Sequence, residues 1–86
     1  MIQQIYSIRD AKAEYYTQPF YAKTHGEAER QFNQWCNDDK TAMHKFPEDF
    51  DLYHIGTLDD STGKIDALAT PHHITKAVQQ KQTNLQ

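Results

Sequence analysis

The order of apolar patterns along the chain predicts an α+β fold: a small antiparallel sheet, formed by an N-terminal strand and a C-terminal hairpin, packed against one main helix and a short C-terminal helix. Three observations carry this expectation. "IQQIYSIR" alternates as a strand does, "THGEAERQFNQWC" is a capped amphipathic segment, and "FDLYHIGTL" is joined to "KIDAL" by turn residues. The 86 residues contain no internal repeat and no linker, so residues 1–78 are expected to form one domain and residues 79–86 a flexible tail.

Taken in order, Ile2, Tyr6 and Ile8 share one face of the first strand, Ile2 to Arg9, with Ile5 on the other. "AKAEYYTQPFYAK" mixes aromatics with Pro19 and polar residues, which predicts a loop and then a short strand around Phe20 to Lys23. Thr24 and Glu27 have the spacing of a capping box, worth about 1 kcal/mol, in which Glu27 reaches back to the Thr24 N–H. Behind it, Ala28, Phe32, Trp35 and Cys36 make one apolar stripe, while Glu29, Arg30, Asn33 and Gln34 face outward until "NDD" ends the helix.

Pro47 blocks helix, and a strand begins near Phe50, with Phe50, Leu52, His54 and Leu58 on one side and Tyr53 and Ile55 on the other. "IGTLDDSTGKID" has a glycine followed later by Gly-Lys, but six residues separate the glycines and Ile65 follows Lys64. A phosphate-binding loop needs four, then Ser or Thr, so Asp59 to Gly63 reads as a hairpin tip. Thr70 and Pro71 then predict the cap and first position of a short helix with an Ile74, Ala77 and Val78 stripe, fraying after Val78.

Composition narrows the function classes. A domain this small gains only roughly 3–5 kcal/mol from its core, which favours a homo-oligomer or a firm partner. One cysteine excludes an internal disulfide, the N-terminus lacks the pattern of a signal peptide, and no apolar run spans a membrane, so a reducing cytoplasm is expected. Nine Lys and Arg against twelve Asp and Glu argue against bulk attraction to nucleic acid. The balance is uneven: six basic and six acidic residues to Lys45, one and six from Phe46 to Asp66, then two and none.

Candidate chemistry is sparse. Adjacent His72 and His73 diverge on the expected helix and Cys36 lies on an apolar stripe, so neither suggests a metal site or a nucleophile. His54 suits a half-buried hydrogen-bonding position. The carboxylates Glu48, Asp49, Asp51, Asp59, Asp60 and Asp66 lack the ligand spacing of a calcium loop and read as a solvated acidic surface. No nucleophile, base and orienter assemble, so no enzyme activity, metal or cofactor is expected. "RDAKAEYYTQPFYAK" is different: rings interleaved with cations are the means by which single-stranded nucleic acid is bound.

The succession "SIRD", "PF" at Pro19 and Phe20, "GEAERQF", "FPEDFDLY" with "IG", and "TGK" resembles the small nonstructural protein of gokushoviruses, single-stranded DNA microviruses of bacteria. The resemblance spans the chain in order to about Val78. It implies a viral early protein in the host bacterial cytoplasm that controls the switch to single-stranded genome synthesis, and no catalytic residues come with it. The expectation is therefore a nonenzymatic accessory of viral DNA replication, acting on single-stranded DNA or on viral or host replication proteins. Arg9, Lys12, Tyr15, Tyr16, Phe20, Tyr21, Lys23 and Arg30 are the expected binding residues, rings for stacking and cations for phosphate. The alternative is a homodimeric interaction module that engages a host or viral protein through the acidic hairpin, without DNA.

Overall fold

The computed structural model describes residues 1–82. Its elements are β1 (Ile2–Asp10), β2 (Tyr15–Tyr16), β3 (Phe20–Ala22), α1 (His25–Cys36), α2 (Ala42–Lys45), a 3₁₀ turn (Pro47–Asp49), β4 (Phe50–Asp59), β5 (Lys64–Lys76) and α3 (Ala77–Gln82). The architecture is α+β. All strand pairs are antiparallel, in the order β2-β1-β4-β5, with β3 also pairing β1. Among the described residues no helix is long and apolar enough to cross a membrane.

One face of the sheet holds the core. Tyr6 and Ile8 of β1, Ala22 of β3 and Phe50 and Leu52 of β4 pack with Ala28, Phe32 and Cys36 of α1 and Ala77 of α3. Phe20, Trp35, Met43 and Ile74 close its margin. Thr24 caps α1 by accepting from the Glu27 N–H at 3.1 Å. The reciprocal bond of the expected box is shifted one residue: the Glu27 carboxylate accepts from the Lys23 N–H at 3.1 Å, not from Thr24. The hairpin tip closes at Gly63, whose φ of +79° is left-handed, with its N–H donating to the Asp59 carbonyl at 2.7 Å.

Several expectations are corrected. Thr70 and Pro71 open no helix; β5 runs through both, and α3 begins only at Ala77. Proline is tolerated because β5 is an edge strand and Pro71 falls in an irregularity where Leu68 to Pro71 face only Ile55, so its missing N–H breaks no ladder bond. Ile55 is itself an extra residue against β1, between the pairs Tyr6–His54 and Ile5–Gly56. That bulge reverses the alternation, so Leu58, opposite Gln3, lies on the face away from Phe50, Leu52 and His54. Tyr15 and Tyr16, expected in a loop, pair with Asp10 and Arg9.

Asn33 and Glu29, expected to face outward, hold Gln80 of α3. Asn33 donates to the Gln80 side-chain oxygen at 3.0 Å, and the Gln80 amide donates to Glu29 at 3.2 Å and to Thr75 at 3.2 Å. A buried amide satisfied on these sides anchors α3, which continues helically to Gln82 where fraying was expected. Residues 83–86 of the expected tail lie outside the described residues.

Candidate nucleic-acid interface

Strand alternation places Gln3, Ile5, Ser7 and Arg9 on the face of β1 opposite the core. Directly paired residues share a face. The register therefore builds two rows on this outer surface: Tyr16, Arg9, Asp51 and Lys76 in one, and Ser7, Tyr53 and His73 in the next. Four strands contribute: Arg9 and Tyr16 meet across the short β1–β2 turn, whereas the neighbours that β4 and β5 supply come from distant parts of the chain.

The side chains lean across the two rows. Tyr16 and Tyr53 meet edge to face at 5.5 Å between centroids, and Tyr53 and His73 do so at 5.3 Å, forming one line of rings. The Arg9 guanidinium carbon lies 5.9 Å from the Tyr16 centroid, within cation–π range. Asp51, its side chain only 16% exposed, accepts from His73 Nε2 at 2.7 Å and from Lys76 Nζ at 3.3 Å. Arg9, Glu48, Asp51, Tyr53 and Lys76 line a shallow recess of about 130 Å³ beside the rings. Beneath them Ser7 is buried, its hydroxyl donating to the Thr17 carbonyl at 2.7 Å, which ties the segment after β2 to β1.

The eight residues expected from the sequence divide among different surfaces. Arg9, Tyr16 and Tyr21 lie on the outer face, Tyr16 at 42% and Tyr21 at 52% exposure. Tyr15, paired with Asp10, is exposed on the opposite face. Phe20 packs between Tyr6 and Trp35 at centroid distances of 5.8 and 5.0 Å, in the margin of the core. Lys12 stands at the β1–β2 turn and lines a separate apolar groove with Phe46 and Phe50. Lys23 precedes α1 and Arg30 is exposed on it, in the helical layer.

Tyr53, His73, Lys76 and Asp51 were not among the expected binding residues. Tyr53 could have been found as the aromatic on the polar side of the β4 alternation. His73 and Lys76 could not, because the expected helix at Thr70 removed them from the sheet.

Histidines also converge on the core side. His54 stands 4.9 Å from His25 and His25 6.1 Å from His72 between ring centroids, with Tyr6 Oη 2.6 Å from His25 Nδ1. His54 is half-buried, bonded through Nε2 to the Gly56 carbonyl at 3.0 Å, and burial, then His25, lowers its pKa. His72 and His73 thus belong to a strand and to opposite faces, which corrects their expected place at a helix start. No group of three or more His, Cys, Asp or Glu among the described residues could hold a metal ion.

No curated protein and no solved structure matches the chain. A family model, described as phage ORF5 protein, matches residues 3–80 and so takes in every strand, both rows of the outer face and most of α3. The chain belongs to the phage ORF5 protein family.

Proposed function

We propose that this phage protein is a gokushovirus-type, nonenzymatic accessory of microvirus DNA replication that works in the host cytoplasm by binding single-stranded DNA on the outer face of its sheet. The line of rings Tyr16, Tyr53 and His73, flanked by Arg9 and Lys76, is the observation that supports this reading. Unpaired bases offer π-faces to such rings at about 1–3 kcal/mol each, and the two cations track phosphates. A duplex keeps its bases stacked and hides those faces. Tyr21, on the same face beside Ile5, extends the track along β1.

The test is fluorescence anisotropy of a labelled single-stranded 20-mer with the matching duplex as control. Binding of the single strand with a log–log salt slope of about −1.4, as two neutralised phosphates give, is expected. Tyr53→Ala should weaken it about tenfold, the loss of one stacked base. Equal binding of duplex and single strand, or no effect of Tyr53→Ala, removes the stacking role.

The alternative, a homodimeric interaction module, is favoured by one observation. Ile65 is 61% exposed on the edge strand of a hairpin whose tip carries Asp59 and Asp60. Sedimentation of wild type and Ile65→Lys separates the two readings, because single-strand binding on the outer face requires no self-association.

A further inference from the structure

The charges lining the recess beside the rings balance: Arg9 and Lys76 against Glu48 and Asp51. Among the described residues His73 is the imidazole in contact with this set, and imidazole is the side-chain type that can exchange its charge under physiological conditions, so a proton on it decides the sign of the surface. Tyr53 from β4, Tyr16 from β2, Arg9 from β1, Glu48 from the 3₁₀ turn and Lys76 from its own strand are the titratable or charged groups around it, with Asp51 as its direct partner. Neutral His73 gives its Nε2–H to the Asp51 carboxylate at 2.7 Å, leaving Nδ1 as a bare acceptor. A second proton must therefore enter at Nδ1. It converts an acceptor that repels phosphate oxygens into a donor that binds them, on a side chain 42% exposed beside the ring line.

We propose that His73 is a proton-gated phosphate contact, so that the outer face takes up single-stranded nucleic acid more tightly when His73 is protonated. This rests on the single-strand reading above and adds its regulation. One phosphate more or less changes the salt slope by about 0.7, which at about 0.1 M salt is roughly a fivefold change in affinity. Asp51 has two functions in this arrangement. It holds the imidazole by Nε2, and together with Lys76 it keeps the surface neutral until the proton arrives.

The experiment is the same anisotropy titration at pH 8 and pH 6, each at two salt concentrations, with circular dichroism fixing the folded fraction at both pH values. Wild type should bind about fivefold more tightly at pH 6, with a salt slope steeper by about 0.7. His73→Gln should bring the pH 6 to pH 8 affinity ratio to about one, and His54→Gln, on the opposite face, should leave the ratio near five. Binding at pH 8 with the same affinity and slope at pH 6 overturns the gate and leaves single-strand binding intact. A fivefold ratio that persists in His73→Gln assigns the proton elsewhere and also overturns it. No binding of the single strand at either pH overturns both readings.

Discussion

Replacing Gly56 by alanine tests the register that builds the outer face. A β-carbon there would sit 2.5 Å from the Asp66 carbonyl oxygen and 3.3 Å from the Ala67 α-carbon, both backbone atoms of β5. Because a backbone neighbour cannot rotate away, β4 and β5 must separate by at least about 0.5 Å to reach even the shortest tolerable contact, 3.0 Å. Overpacking of this kind costs about 1–3 kcal/mol, and loosening the adjoining Thr57–Asp66 pair removes about 1 kcal/mol more per hydrogen bond. The sum, about 2–4 kcal/mol, is a large part of the roughly 4–13 kcal/mol expected for 86 residues. It corresponds to a loss of roughly 10–25 °C in Tm. Urea denaturation followed by Trp35 fluorescence measures it.

The other two glycines supply the scale. Gly63→Ala meets no atom within 4 Å but must hold a φ of +79°, and should cost about 1 kcal/mol. Gly26→Ala, in the first turn of α1 with its nearest contact an ordinary 3.9 Å, should be neutral or stabilise by up to about 1 kcal/mol. If Gly56→Ala falls within about 0.5 kcal/mol of wild type, the close approach of β4 and β5 is wrong, and with it the pairing that places His73 beside Tyr53.

Two further predictions concern the turn and the acid limb. Glu14 holds a φ of +66° at the turn after β1, where the Asp10 carboxylate accepts from the Lys12 and Ala13 N–H groups. Glu14→Gly should therefore stabilise by about 0.5–1 kcal/mol and Glu14→Val destabilise by about 1–2, an order that reverses if the turn is wrong. His54 has a folded pKa below its unfolded value of 6.5, so its contribution to stability is complete above pH 6.5. As pH falls from 6.5 toward the depressed folded value, the unfolded chain binds a proton that the native one refuses. The midpoint of urea unfolding should accordingly fall between pH 7 and pH 5, with a shallower slope in His54→Gln; equal slopes remove His54 as the cause.

Local chemistry made much of the fold legible. Thr24 caps α1 because the cap needs only a hydroxyl and the first-turn N–H groups, both set within a few residues. The Ala28, Phe32 and Cys36 stripe lies buried because helical periodicity is a local property that the core then uses. The hairpin tip at Gly63 followed from turn residues alone. The same local reasoning failed at Thr70 and Pro71, where a good helix start was overruled by pairing of His72, His73, Thr75 and Lys76 with β4. It failed again at Leu58, where one bulged residue, Ile55, reversed the faces of the strand.

What the sequence by itself determined, then, was the α+β class, the main helix with its cap and buried stripe, the hairpin turn, and the presence of rings and cations near the N-terminus. Only the tertiary structure decided which of those rings share a surface: Tyr16 stays on it, Phe20 goes to the core margin, and Tyr53, His73 and Lys76 join from strands far along the chain. The physical reason is that periodicity and capping are properties of neighbouring residues, whereas a face of a sheet is defined by register. One bulge or one strand in place of a helix turn reassigns every side chain beyond it, and no local pattern records that choice.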